Sequence, residues 1–449
     1  MTRIAETDVD NTGRGRGTIA LLRGGFASAS LSIALVGLSF LISVALARML
    51  GPDGFGAYSF AYALAMVLAL PAHSGISQLV IRETAQNSAN GQWGRVRGLW
   101  LWGNRAVVVL SIALALLLSG GSLLLGAAPE IMIAAALIPV IALGSLRGAA
   151  LAGLHRVVLG QIPENVIRPS VFLILIFLAP ALLNWQKLLP AQAMSLHIAA
   201  ALLAFAVGVI VLRKVRPESL LHAEPQMHSG AWARAVLPLS LVGGMQLLIN
   251  NTDVLMLGLL RSDAEVGVYR VIAQCSVFLI LGSQALSRVV APRFARSYEQ
   301  CDLSELQHLA VTSARVGLLV ALPVGAVFAL SGEVILLFLF GPEYVSGYLA
   351  LVILVAGRIV NVALGQVGLL LQMTGNESSA LFGTILAAGL NIVLNVLLIP
   401  HFGIEGAATA TAVSLVCSHL LLRHLVVKKL GIESSFVYFR SNSGQKPKS

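Results

Sequence analysis

Three arginines interrupt long apolar stretches of the sequence: Arg105, Arg168 and Arg358. A guanidinium at the centre of a membrane helix costs about 2.5 to 3.5 kcal/mol on insertion scales, so it rarely persists there without a role. Its planar fork of N–H donors matches the oxygens of a phosphate. The chemistry that these residues suggest is the binding of an anion inside a wet cavity.

Two acidic residues also fall within apolar stretches, and we predict that they balance or couple charge. Glu164 precedes Arg168 by four residues, the spacing of an ion pair on one helix face. Asp253 follows Asn250 and Asn251 and would either hold a proton or sodium ion or serve helix packing and arginine pairing. No cofactor and no metal site is expected, and proton, sodium and membrane potential all stay open as the driving force.

The three arginines differ in depth. Arg168 lies about eleven residues into its helix, which is roughly 16 Å from the surface, and Pro163 and Pro169 flank it. Helices broken by proline often line cavities, although pairing with the acid one turn earlier is the simpler interpretation. Arg358 has no acidic neighbour on its own helix, so a hydrogen bond between lobes is its alternative role. Arg105 lies near a helix end and could reach the surface instead.

The composition places the whole chain in a membrane. Of its 449 residues 57% are hydrophobic and 11% charged, with a mean hydropathy of +0.86, whereas soluble domains carry about 25% charged residues. The three cysteines are too widely spaced for a disulfide framework. The nine histidines show no HExxH spacing, and no GxxxxGK loop occurs. We therefore expect a membrane protein that is not an enzyme.

The apolar segments predict an all-α fold of twelve transmembrane helices in two pseudo-symmetric lobes of six. Residues 214–233 form the predicted linker between an N-lobe (24–213) and a C-lobe (234–427), with tails at 1–23 and 428–449. Proline, glycine and charged residues place the helices, within a few residues, at about 24–50, 54–82, 98–120, 129–154, 157–183, 188–213, 234–260, 265–292, 305–331, 343–373, 379–400 and 405–427.

Turn signals and a weak internal repeat support this division. Gly51 and Pro52 predict the end of the first helix and the start of the second, because glycine adopts the left-handed conformation and proline cannot continue a helix. The Gly-Pro-acid turn returns at 341–343. In addition, Gly56 and Tyr58 recur as Gly267 and Tyr269, each pair at the start of the second helix of its half. An even number of helices per half makes such a repeat parallel.

Lysine and arginine are concentrated in the loops of one side, which predicts that both termini are cytoplasmic. The opposite side holds only Arg48, Lys187, Arg261 and Arg270. The net charge of +10 is assigned to this asymmetry and to contact with anionic lipid, not to nucleic acid.

Three stretches of the sequence resemble a known family. They are residues 47–83, with ARMLGPDGFGAYSFA and GISQLVIRE, residues 250–269, NNTDVLMLGLLRSDAEVGVY, and residues 390–414, LNIVLNVLLIPHFGIEGAATATAVS. The chain resembles the polysaccharide biosynthesis branch of the multidrug/oligosaccharidyl-lipid/polysaccharide exporter superfamily. The resemblance implies a MATE-like pair of lobes around a cavity that opens to alternate sides. It also implies a flippase for undecaprenyl-pyrophosphate-linked O-antigen or exopolysaccharide units in the bacterial inner membrane.

This resemblance assigns roles to the buried charges. Arg168 and Arg358 would hold the pyrophosphate, Arg105 would lie nearer the loading side, and Asp253 and Glu164 would balance or couple charge. Expected partners are the lipid-linked oligosaccharide, membrane lipid and a polysaccharide polymerase. Two alternatives are a multidrug antiporter of the same superfamily, which would need an acidic cavity, and a polysaccharide polymerase, which would need a large outer loop.

Overall fold

The computed structural model describes residues 8–436, with side chains from Leu35 onward apart from positions 241–243 and 246. Parts of both predicted tails, residues 1–7 and 437–449, therefore lie outside the described residues. The described chain is helical and contains no strand. Its α-helices are α1 (Asp8–Ala89), α2 (Trp93–Leu124), α3 (Pro129–Ala134), α4 (Leu137–Gly153), α5 (Val157–Ile162), α6 (Arg168–Leu182), α7 (Pro190–Val215), α8 (Glu218–His222), α9 (Ser229–Leu260), α10 (Asp263–Ser276), α11 (Phe278–Glu299), α12 (Leu303–Leu339), α13 (Tyr348–Ala363), α14 (Val367–Met373) and α15 (Glu377–Leu430).

These helices make twelve membrane crossings within the described residues. Eight helical segments are long and apolar enough to span a bilayer. Two of them, α1 and α15, cross twice, because each is kinked at a glycine with positive φ, Gly51 at 70° and Gly403 at 54°. The bent pair α10–α11 is long and apolar enough to be the eleventh crossing. We assign the twelfth to α9, which has 32 residues and includes the apolar stretch Leu247–Leu260. The predicted all-α fold with twelve transmembrane helices is confirmed, including the kink at Gly51.

Three predicted helices are interrupted. The predicted helix 265–292 bends by 41° between α10 and α11. The predicted helix 343–373 breaks at Gly365, where φ is 84°. The predicted helix 157–183 contains a π-helical turn, Pro163–Ile167, because Pro163 has no N–H to offer to the preceding turn. Arg168, the first residue of α6, follows this turn directly.

The hydrophobic core clusters differ between the two ends of the molecule. We call the end with Gly51 and Gly403 the kink end, and the opposite end, which contains the α1–α2 turn and residue 436, the tail end. One core cluster at the kink end contains residues of both halves, among them Phe55, Phe172, Tyr269 and Tyr344. At the tail end two separate clusters occur, one around Leu99 and Leu146 and the other around Phe294 and Leu371. The halves therefore share one cluster at the kink end. At the tail end, α9 packs into the cluster around Leu99 through Trp232, whereas the cluster around Phe294 contains residues of the C-terminal half alone.

A short segment after α15, residues 431–436, lies across the tail end of the C-terminal half. Arg423 holds Glu433 through two hydrogen bonds of 2.6 and 2.8 Å, which lower the pKa of the Glu433 carboxyl. The Phe436 N–H donates to the carbonyl of Ala363 at 3.1 Å, and the Ser434 hydroxyl donates to that of Leu364 at 3.2 Å. The segment thus satisfies carbonyls that the break in α13–α14 leaves without helical partners.

Candidate functional site

Two neighbouring cavities share one wall: the first lies between the halves of the molecule, and the second is lined by the C-terminal half alone. The N-cavity, of about 240 Å³, is lined by α1, α6, α7 and α10, and the C-cavity, of about 500 Å³, by α9, α10, α11, α13 and α15. Arg270 and Gln274 of α10 line both. The charged residues of the N-cavity are Glu164, Arg168 and Arg270, and those of the C-cavity are Asp253, Arg270 and Arg358.

Arg168 and Glu164 form an ion pair at the wall of the N-cavity. The Arg168 Nη1 and Glu164 Oε2 atoms are 3.2 Å apart, and the side chains are 18% and 21% exposed. Gly144 of α4 leaves room for Glu164, because a Cβ there would overlap its carboxylate. The two interpretations of Arg168 from sequence, pairing and facing a cavity, therefore occur together. The carboxylate neutralises part of the arginine charge.

A buried tyrosine and histidine complete the N-cavity. The Tyr58 hydroxyl and His197 Nδ1 are 2.6 Å apart, and both side chains are buried. The imidazole of His197 stacks on Phe172 and Tyr62, with ring centroids 4.4 and 4.9 Å away. His197 was missed from the sequence, since a single histidine in an apolar helix carries no pattern that distinguishes it from a packed residue.

Asp253 lies at the centre of a hydrogen-bond network in the C-cavity. Its Oδ1 accepts from Asn391 at 3.1 Å and Asn395 at 2.8 Å, and its Oδ2 accepts from Tyr269 at 2.6 Å and Thr411 at 2.5 Å. All four donors are uncharged. The carboxylate is therefore held by hydrogen bonds from α10 and from both arms of the kinked α15, and no cation of the described residues contacts it directly.

Arg358 lines the same cavity without a direct ionic partner. No carboxylate oxygen in the described part of the chain lies within 4.0 Å of its guanidinium nitrogens. Its Nε–H is buried and has no hydrogen-bond partner among the described residues. A buried charged donor without an acceptor is costly in a protein interior. An anion in the C-cavity would relieve that cost.

Arg270 is the main correction to the sequence analysis. Charge counting assigned it to the outer side and gave it no role in the site, but it lies seven residues after Asp263, the first residue of α10, and lines both cavities. Like Arg358, it has no carboxylate oxygen within 4.0 Å among described residues. The recurrence of Gly56 and Tyr58 as Gly267 and Tyr269 was a usable signal, since it already placed Arg270 inside a helix.

Arg105 is not brought together with the other arginines. It is exposed on α2, on a face that also carries the exposed residues Leu101, Val109 and Ile112. It lines neither the N-cavity nor the C-cavity. Its assignment to the cargo site therefore gains no support from the geometry and stays a prediction.

The chain matches known families over most of its length. Residues 21–298 match the family described as polysaccharide biosynthesis protein, and residues 271–441 match the family described as lipid II flippase MurJ. A curated relative is the probable low-salt glycan biosynthesis flippase Agl15 of Haloferax volcanii, 26% identical over 184 residues. That alignment covers 41% of this chain and 39% of Agl15, so the chain spans about two fifths of the relative's length.

Solved structures share the fold. The lipid II flippase MurJ in an inward closed conformation superposes with a TM-score of 0.70 at 12% identity, over 88% of this chain and 86% of MurJ. An inward-facing MATE family multidrug transporter gives a TM-score of 0.69 at 13% identity, over 88% and 94% of the two chains. Neither the relative nor these two structures is described as an enzyme. The chain therefore belongs to the polysaccharide biosynthesis protein family of the multidrug/oligosaccharidyl-lipid/polysaccharide exporter superfamily.

Proposed function

We propose that this protein is a flippase that moves an undecaprenyl-pyrophosphate-linked oligosaccharide across the bacterial inner membrane by alternating access. The tail end faces the cytoplasm, as the distribution of lysine and arginine favours. Cargo loads there and leaves from the kink end toward the outer leaflet, where surface polysaccharide is assembled. The polyprenyl chain stays in the lipid while the diphosphate and sugars pass between the halves.

The observation that carries this proposal is the charge of the two adjacent cavities. Three guanidiniums line them, and two of these, Arg270 and Arg358, have no carboxylate within 4.0 Å among described residues. A diphosphate that leaves water needs such fixed donors, and arginine binds phosphate oxygens in pairs. We assign binding of the diphosphate to Arg270 and Arg358. Arg168 adds a weaker positive potential, because its charge is partly neutralised by the ion pair with Glu164.

The arrangement of the cores supports loading from the tail end. The shared cluster around Tyr269 joins the halves at the kink end, whereas at the tail end the cluster around Phe294 contains residues of the C-terminal half alone. A cargo head group would therefore meet the cavities from the cytoplasmic side in this conformation. Release requires the halves to separate at the kink end.

We assign energy coupling to Asp253, with sodium favoured over a proton. The Asn395 Oδ1 atom beside it is buried and has no hydrogen-bond partner among described residues. Together with Asp253 and the oxygens of Asn391 and Thr411, it forms a group of oxygens of the kind that hard cations prefer. A bound cation would reorient the side-chain amides of Asn391 and Asn395 so that their oxygens face it. Their NH₂ groups would then no longer donate to the Asp253 carboxylate.

The two other functions receive no specific support. An organic-cation antiporter needs a cavity that is negative on balance, but the arginines outnumber the acids in these cavities. A polymerase needs catalytic groups in a sizeable outer loop, and the α9–α10 and α12–α13 connections at the kink end are short.

The test is transport in proteoliposomes with a fluorescent polyprenyl-diphosphate disaccharide. Arg270→Ala and Arg358→Ala should each slow transport by about 10- to 150-fold, which corresponds to one charge-assisted hydrogen bond of about 1.5 to 3 kcal/mol. Arg156→Ala is the matched control, because Arg156 is exposed at the α4–α5 turn. Parent-like rates for both cavity variants, at equal reconstitution, would refute the assignment, as would parent transport of organic cations but not of the lipid.

A further inference from the structure

The repeated glycines of the sequence touch each other in the structure. A Cβ at Gly56 would overlap the carbonyl of Asp263 and lie 2.9 Å from the Gly267 nitrogen. A Cβ at Gly267 would overlap the carbonyl of Pro52 and lie 3.1 Å from the Gly56 nitrogen. The second helices of the two halves, α1 beyond its kink and α10, therefore cross backbone against backbone at equivalent positions. No side chain fits at either position of this crossing.

Other contacts between the halves surround the crossing at the kink end. The buried Tyr344 hydroxyl donates to the carbonyl of Ala47 at 3.0 Å. The Arg48 side chain donates to the carbonyl of Leu339 at 2.7 Å and also to that of Phe338. These bonds join the end of the first helix to the end of α12. Each is an ordinary hydrogen bond to a backbone carbonyl and can be broken without leaving a buried charge.

The crossing is connected directly to both cavities. Two residues after Gly56, Tyr58 holds His197 in the N-cavity, and two residues after Gly267, Tyr269 holds Asp253 in the C-cavity. Both tyrosines are buried in the shared core. A change at the crossing must therefore move the walls of the two cavities with it, and a change in cavity occupancy must act on the crossing.

We propose that the Gly56–Gly267 crossing is the gate at the kink end, and that it closes only because neither position carries a side chain. This inference rests on the proposed function for its direction, since the kink end is the outer end under that proposal. When the gate is closed, the cavities are sealed from that side by helix backbone. When the two helices separate at the glycines, the cavities gain an exit there.

The gate is tested by labelling, without any cargo. Cys275, Cys301 and Cys417 are replaced by alanine, and Ser43→Cys places a single thiol on the wall of the N-cavity. A membrane-impermeant maleimide is added to the kink-end side of oriented proteoliposomes. Because leucine cannot fit at the crossing, Gly56→Leu or Gly267→Leu should raise the labelling rate by at least about tenfold. Gly56→Ala should give a smaller increase, since a methyl group demands less separation.

The matched control is Gly120→Leu, because a Cβ at Gly120 meets nothing within 4 Å. Its labelling rate should equal that of the parent. Unchanged labelling in a folded Gly56→Leu or Gly267→Leu variant would overturn the proposal. If both leucine variants fail to fold, Tyr344→Phe keeps it testable. Loss of that one hydrogen bond should raise labelling by about fivefold, and an unchanged rate would count against the gate.

The labelling result and the function can fail independently. If labelling responds as expected but the lipid diphosphate is not transported, the gate stands and the cargo assignment falls. If transport depends on Arg270 and Arg358 but substitution of Gly56 or Gly267 leaves the labelling rate unchanged, the cargo assignment stands and the gate lies elsewhere.

Discussion

Replacement of Asp253 by asparagine should separate ion coupling from folding. The carboxylate accepts four hydrogen bonds, from Asn391, Asn395, Tyr269 and Thr411. In Asp253→Asn the remaining oxygen still accepts from the two amides, and the new NH₂ group can donate to the two hydroxyls, which rotate to accept. The loss is the difference between charged and neutral hydrogen bonds, about 1 kcal/mol each and at most about 4 kcal/mol in total.

Leucine at this position would be a poor test. Four donors, three of them buried, would lose their acceptor at about 1 to 3 kcal/mol each. The total is comparable with the whole stability of a folded protein, about 5 to 15 kcal/mol. The asparagine variant should fold, bind cargo and transport it down its own gradient, but it should not hold a cation.

The assay compares initial transport rates in proteoliposomes with and without an imposed tenfold sodium gradient. Parent transport should respond to the gradient, whereas Asp253→Asn should run at one rate under both conditions. Asp302→Asn is the control, because Asp302 caps α12 at 2.9 Å from the Glu305 nitrogen and lies outside both cavities. An undiminished sodium response in Asp253→Asn would refute the reasoning, and a response to a proton gradient alone would reassign the ion.

Three further predictions concern single side chains. Glu164→Gln should tighten binding of the lipid diphosphate by about three- to tenfold, because it frees the charge of Arg168 in a partly exposed pair; a weaker apparent Kd in a flotation assay would contradict this. Arg105→Ala should change the transport rate less than about threefold, because its side chain is exposed on the outer face of α2; a loss above tenfold would restore it to the cargo path. Glu433→Gln should lower stability by about 1 kcal/mol near neutral pH. Since the pKa of Glu433 is lowered by hydrogen bonds from Arg423, this stabilisation is present above the ordinary carboxyl pKa and is lost as the pH falls through the lowered value; a difference between parent and variant that persists in thermal unfolding at acidic pH would exclude this origin.

The sequence predicts the fold well because its signals are local. Hydrophobic length gives the crossings, and Gly51 has the positive φ that its turn required. The bend between α10 and α11 could not be predicted in the same way. The residue between the two helices is Val277, and a valine carries none of the turn signal of glycine or proline. The break at Gly365 also depends on residues far along the chain. The Phe436 N–H and the Ser434 hydroxyl donate to the carbonyls of Ala363 and Leu364, which have no helical partners there.

The site is harder to predict because depth in a helix does not give direction. Arg168, Arg358 and Arg105 all interrupt apolar stretches, yet the first two line cavities and the third lies on an exposed face. The partners of Asp253 lie on other helices, and Asn395 is 142 positions away. Arg270 was overlooked because it was counted among the basic residues of the outer side, although the predicted helix 265–292 contains it.

The shared core at the kink end has a consequence for biosynthesis. Phe55 and Phe172 belong to the same core cluster as Tyr344, which the ribosome adds much later. At about 5 to 20 residues per second, the second half takes on the order of 10 to 50 s to synthesise. During that interval the first six helices wait in the bilayer with one end of their packing incomplete, so the insertion machinery or lipid must cover these surfaces until the last helices arrive.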